Sequence, residues 1–137
     1  MIEKTIVGYK EYVKISISGK IYEFTATMDT GNAGVVPTLG VKHVFVGKNN
    51  VQIMINNESY LLESHGEATP MVGNIMHRRP IIKLDFIEIR GKRLENVFCG
   101  VTDQRNKSTQ MLINRDIMSK MNFIVDPSIE NIQIEEA

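Results

Sequence analysis

Cysteine is almost absent from this chain. Cys99 stands alone among 137 residues, so no internal disulfide can form and no Cys-x-x-Cys pair exists to hold zinc or run redox chemistry. A lone cysteine fits a reducing compartment. Tryptophan is missing and aromatics make up 7% of the chain, which leaves little for an aromatic stacking platform. Neither sign of charge prevails, with 16 basic and 16 acidic residues. Nucleic-acid binders usually carry a basic footprint, so no nucleic acid is expected as a partner. Apolar runs last only a few residues, far short of the roughly 20 that a membrane-spanning helix needs, and no membrane association is expected. The opening Met1-Ile2-Glu3-Lys4 lacks the apolar stretch of a signal peptide. There is no His-Glu-x-x-His pattern and no phosphate-binding glycine loop. The expected location is cytoplasmic, and no cofactor is expected.

What is present describes one globular domain spanning residues 1–137, with 42% hydrophobic residues and enough length to bury a core without staples. Strand patterns dominate. Val13-Lys14-Ile15-Ser16-Ile17 alternates, Ser18-Gly19-Lys20 reads as a turn, and the segment 21–28 reads as the return strand. Val44-Phe45-Val46 and Val51-Gln52-Ile53-Met54-Ile55 flank a second turn. Asn56-Asn57-Glu58 makes a third, before Tyr60-Leu61-Leu62. The segment 63–74 has little periodicity and reads as a mobile loop or extended hairpin. The segments 81–89 and 94–101 form another strand pair around Arg90-Gly91-Lys92. One short helix is expected late, capped by Asn114 or Asp116, with Ile117, Met118 and Met121 on one side. Phe123-Ile124-Val125 reads as a strand stopped by Asp126-Pro127, and Ile132-Gln133-Ile134 as an edge or inter-subunit strand. The whole is all-β in the main, a closed or partly closed barrel with one small helix.

The feature that carries chemistry is Ala26-Thr27-Met28-Asp29-Thr30-Gly31, an apolar strand running into Asp-Thr-Gly. By itself the tripeptide is most economically an ordinary turn. Its chemical reading is half of a carboxylate pair. Two carboxylates roughly 3 Å apart cannot both ionise, so they share a proton. One then activates water while the other protonates the leaving group or holds the carbonyl. The pair titrates as a unit. The context strengthens this reading. About 80 residues later an apolar strand, a turn, an arginine and a short helix follow in Met111-Leu112-Ile113-Asn114-Arg115-Asp116, and Phe123-Ile124-Val125-Asp126-Pro127 comes after.

In this order the pieces resemble the retropepsin-like aspartic proteases, small enzymes that work as homodimers. More narrowly, the chain is similar to the bacterial and viral branch labelled RimK-associated or "ATP-dependent zinc protease" proteins. The opening segment 6–13, Arg78-Arg79-Pro80, Thr102-Asp103-Gln104-Arg105 and the closing Val125-Asp126-Pro127 all resemble stretches of that branch. The resemblance implies a retropepsin-like acid-protease barrel. It makes Asp29 the catalytic carboxylate, with Thr30, Gly31 and Asn32 in support. It makes Arg115 and Asp116 structural at the dimer interface, Arg115 through an ion pair. It makes 63–76 a flap over a peptide or protein substrate, with Gly66 and Gly73 suiting a moving lid.

Three departures favour a rival. Asn114 stands where the family has glycine in a Leu-Leu-Gly-Arg turn, and there asparagine is expected to tolerate left-handed backbone. Asn32 stands where alanine is common, and Gly34-Val35-Val36-Pro37 replaces a stretch rich in serine and threonine. The rival is a catalytically silent module of the same fold, a structural or assembly protein such as a phage virion component. A third reading is a module that binds peptides by strand addition.

The other reactive residues have bland explanations. His43, His65 and His77 lack metal-ligand spacing, so no metal site is expected. Cys99 in Val97-Phe98-Cys99 reads as a small buried hydrophobe. The basic run Arg78, Arg79, Lys83, Arg90, Lys92 and Arg93 reads as a solvated face with acidic neighbours.

Overall fold

The computed structural model describes every residue except 1–3, 32–33, 35, 69–70, 73–74, 77, 104–108 and 132–137. Its strands are β1 (Thr5–Ile17), β2 (Lys20–Met28), β3 (Thr38–Gly40), β4 (Lys42–Val46), β5 (Asn50–Ile55), β6 (Glu58–Glu63), β7 (Glu67–Ala68), β8 (Met71–Val72), β9 (Ile75–Met76), β10 (Arg79–Ile89), β11 (Lys92–Thr102), β12 (Met111–Ile113) and β13 (Phe123–Asn131). The helix α1 (Arg115–Lys120) lies between the last two. No helix among the described residues is long and apolar enough to cross a membrane.

Six strands close a barrel. β1 pairs antiparallel with β2, and β2 runs parallel to β12. β12 is antiparallel to β3, which is parallel to β11. β11 is antiparallel to β10, and β10 returns antiparallel to β1. The expected barrel is therefore present and closed. Alternation places Val13, Ile15 and Ile17 of β1 in the core beside Ile82, Leu84, Ile87 and Ile89 of β10, all at 0% exposure. Each such side chain contributes about 1.5–3 kcal/mol on burial.

Turn chemistry pins the register. Asn56 and Asn57 have φ of 48° and 69°, and Arg90 and Gly91 have 54° and 76°. Two consecutive left-handed residues match the twist of a two-residue hairpin. A second sheet, β4-β5-β6, grows from the middle of the chain. It buries Val51, Ile53 and Ile55 in the common core. It is tied to the barrel where the Tyr60 and Tyr22 hydroxyls meet, with Tyr60 also donating to Glu58.

β1 serves two partners on one edge. Its first part, from Thr5 to Glu11, runs parallel to β13, and its second, from Val13 to Ser16, pairs with β10. Glu11 sits at the changeover, 2% exposed. Its carboxylate accepts the Gly8 N–H at 2.6 Å and the Arg90 Nε at 2.8 Å.

The last strand corrects the sequence expectation. Pro127 does not stop it, and β13 continues to Asn131. β13 is an edge strand, and its register against β1 slips between Gly8 and Lys10, where Gly8 pairs with Asp126 and Lys10 with Glu130. Proline is tolerated at such an irregularity because no ladder hydrogen bond is demanded of it. Asp126 Oδ1 stabilises the bulge by accepting from the Ser128 N–H at 2.9 Å and its hydroxyl at 2.6 Å. The bulge presses on Gly8, where a Cβ would lie 2.6 Å from the Ile129 carbonyl oxygen. The 132–134 segment, expected as an edge strand, lies outside the described residues.

Candidate functional site

Asp29 follows directly on β2 and is partly exposed. The parallel partner β12 positions it. Met28 is in register with Ile113, and the Asp29 N–H donates to the Ile113 carbonyl at 2.9 Å. The next residue on that side, Asn114, is fully buried. Its Nδ2 donates to the Gly34 carbonyl at 2.6 Å. The two ends of the 29–34 loop are thus fastened to consecutive residues at the end of β12. Below the loop, the Thr27 and Thr109 hydroxyls share a buried hydrogen bond of 2.8 Å, and Thr109 donates onward to the Met111 carbonyl at 3.1 Å. This polar pair locks the strand ends together under Asp29.

Thr30 and Gly31 are exposed. A Cβ at Gly31 would meet Asp29 Oδ1 at an ordinary 3.6 Å, so nothing among the described residues demands glycine there. Asn32 and Gly73 lie outside the described residues. Asn114 occupies the N-cap position of α1, in extended backbone at φ −85° and ψ 168°. The expectation of a left-handed asparagine is thereby corrected. Arg115 is exposed and makes no ion pair among the described residues. Asp116 pairs with Lys120 one turn on, at 3.0 Å.

The described parts of the 63–76 segment include three two-residue strands. β7 pairs with the start of β10, and β8 pairs with β9. Its root is held by the His65 N–H to the Ile81 carbonyl at 2.8 Å and the Ile81 N–H to the Gly66 carbonyl at 3.0 Å. Gly66 has φ of +111°, a conformation open to glycine and closed to most other residues. It fixes the root and is no evidence of a hinge.

The remaining reactive groups are absorbed by packing. Cys99 is wholly buried, and desolvation pushes its thiol up to about 12. His43 lies edge-on to Phe45, with Nδ1 3.1 Å from Asp103, and His65 packs on Phe98. His77 lies outside the described residues. Among the described residues no three His, Cys, Asp or Glu side chains converge, so these residues by themselves do not fit the zinc in the branch label. The basic run is only in part a solvated face with acidic partners: Arg79 is half-buried with its Nε unpartnered among the described residues, and Lys92 donates to the Met121 carbonyl at 3.1 Å. Arg78 pairs with Glu67, Arg90 with Glu11 and Arg93 with Glu88. A groove of about 360 Å³ lies between β11, α1 and Val36-Pro37, lined in part by Phe98, Ile117 and Lys120. Asp29 is not part of it.

Sequence reasoning found Asp29 and missed the Thr27–Thr109 pair. Alternation gave no signal for it, because Thr27 falls on the strand face opposite Phe24, Ala26 and Met28.

No family model matches the sequence, and no curated protein matches it. Among solved structures, the fold is similar to that of Lpg0085, a protein with unknown function (DUF785) from Legionella pneumophila subsp. pneumophila str. Philadelphia 1. The TM-score is 0.68 at 18% identity, over 95% of this chain and 98% of that one. At that identity the likeness establishes the barrel.

Proposed function

We propose that this chain is one subunit of a homodimeric aspartic endopeptidase of the retropepsin-like kind, in the RimK-associated branch. The observation that carries the reading is the seat of Asp29. A partly exposed carboxylate follows the end of a barrel strand, its amide hydrogen-bonded to the neighbouring parallel strand, on a loop fastened at both ends.

The chain holds a single Asp-Thr-Gly, so the second carboxylate must come from a second copy. With the two Asp29 side chains sharing one proton across a two-fold axis, the ionised one takes a proton from water as that water attacks the peptide carbonyl. The protonated one hydrogen-bonds the carbonyl oxygen and then passes its proton on to the leaving amine. The 63–76 segment is the element available to cover a bound peptide.

The test combines solution mass with cleavage of a peptide library by wild-type protein and Asp29→Asn. The expected result is a dimer that cuts peptides and a folded Asp29→Asn dimer that does not. Equal cleavage by the two, or a strict monomer at high concentration, rejects the reading. A dimer that cuts nothing points to the silent structural module.

A further inference from the structure

Asn114 has two conventional reasons to stand where it does, and neither applies. Asparagine is favoured where backbone must turn left-handed, but Asn114 is extended at φ −85° and ψ 168°. Asparagine is favoured at an N-cap because its side chain accepts a hydrogen bond from the first helical turn, but its side chain makes no such bond to α1. Instead the side chain leaves its own helix and donates to Gly34, 80 positions away in sequence. This contact also settles the amide's orientation. With Nδ2 on a carbonyl, Oδ1 is left buried and without a donor among the described residues. An orphaned buried acceptor costs stability, so the residue is poorly chosen for stability alone.

We propose that Asn114 is a positioning residue for Asp29. Resting on the peptidase reading above, this assigns the side chain the task of latching the far end of the 29–34 loop, while the Ile113 carbonyl holds its near end. Between these anchors, a Cβ built at Gly31 would lie 3.6 Å from Asp29 Oδ1. Closing both ends on adjacent residues, Ile113 at the end of β12 and Asn114 just beyond it, limits the directions in which the carboxylate can point. A carboxylate that must meet its partner within hydrogen-bond reach needs that restriction.

The chemistry of the latch supplies its own test. In Asn114→Ala the donor is gone at every pH. In Asn114→Asp it is gone while the new carboxyl is ionised, and it returns as an O–H donor to Gly34 once that carboxyl protonates, which burial at this position moves above the ordinary aspartate value of about 3.9. The charged groups at this junction, Asp29 in the loop and Arg115 and Asp116 on α1, are common to both variants and cancel in the comparison. Full-length protein is used, with exchange of the Asp29 amide, bonded to the Ile113 carbonyl, read by NMR against core amides such as Val13 and Leu84.

The expected result is exchange about tenfold faster in the loop of Asn114→Ala, with core amides unchanged. In Asn114→Asp the loop is fast at neutral pH and protected again in acid. In the cleavage assay kcat falls at least about tenfold with little change in KM, and Asn114→Asp, unlike Asn114→Ala, recovers in acid. Loop exchange equal to wild type in both variants overturns the latch. Equal loss in both variants at every pH also overturns it, because a merely structural asparagine would behave so. Wild-type protein that cuts nothing overturns the peptidase reading separately, and the exchange experiment still decides the latch.

Discussion

Replacing Arg90 with glutamine tests how the barrel closes. Glu11 is 2% exposed and stands where the edge of β1 passes from β13 to β10. Its charge is met by the Gly8 N–H and the Arg90 guanidinium. Removing one member of a buried ion pair typically costs about 3–5 kcal/mol, because the other charge is left in low dielectric. The Arg90 side chain is 37% exposed, so water replaces part of what is lost, and about 2–3 kcal/mol is expected. At roughly 3–5 °C per kcal/mol for a chain of this size, Tm falls by about 10 °C. Glutamine is the right probe because Arg90 sits at φ 54°. Asparagine or glycine would relieve that backbone cost and mask the loss. The assay is thermal and urea unfolding of wild type, Arg90→Gln, Glu11→Gln and the double variant. The double variant should be less destabilised than the sum of the singles by at least about 1 kcal/mol. A Tm for Arg90→Gln within about 2 °C of wild type, or strict additivity, refutes the reasoning.

Three other outcomes are expected. Gly8→Ala places a methyl 2.6 Å from the Ile129 carbonyl oxygen and destabilises by about 1–3 kcal/mol; an unchanged urea midpoint would show that the β13 bulge does not press on Gly8. Cys99, with its thiol raised to about 12 by burial, stays unlabelled by an alkylating agent at mildly alkaline pH until the protein unfolds, whereas stoichiometric labelling of native protein contradicts the packing around it. The Tyr60 phenol is held above its ordinary range by the Tyr22 hydroxyl, then by desolvation and the Glu58 charge. Because the folded state favours the protonated phenol, this stability is complete below the unfolded value of about 10 and is lost as pH rises through the folded one. Phenolate absorbance of wild type minus Tyr60→Phe reads it directly, and titration near the free-tyrosine value counts against the hydroxyl pair.

The hairpins were legible in the sequence because their signals are local. Asn56-Asn57 and Arg90-Gly91 announce left-handed turns, and alternation on either side settles which residues face inward. The short strand β3 was not legible. Three residues after Pro37 carry no period, and they form a strand only because β11 and β12 offer edges on both sides. Pro127 misled for the same reason. Its effect on a strand depends on whether a neighbour requires its N–H, and the slip against β1 removes that requirement. Asp29 was legible as a motif, whereas its seat was not. The bonds that position it come from Ile113 and Asn114, more than 80 residues away, and no spacing rule predicts that β12 lies parallel to β2.

That seat also bears on whether Asp-Thr-Gly is merely a turn. An ordinary Asp-Thr-Gly turn has internal reasons for its residues. The carboxylate accepts a nearby amide, the threonine hydroxyl bonds to local backbone, and the glycine takes a positive φ. Among the described residues, neither the Asp29 carboxylate nor the Thr30 hydroxyl makes a hydrogen bond, and Gly31 is not among the residues at positive φ. Gly31 also meets no steric limit, its Cβ position being 3.6 Å from the nearest atom. Arg115, the first residue of α1, is likewise exposed and makes no ion pair among the described residues. The two ends of the loop are fastened, while among the described residues the Asp29 carboxylate and the Thr30 hydroxyl meet no partner. Residue choices that the described residues leave unexplained are what the proposed second copy would account for. In the peptidase proposed above, that copy supplies the second carboxylate.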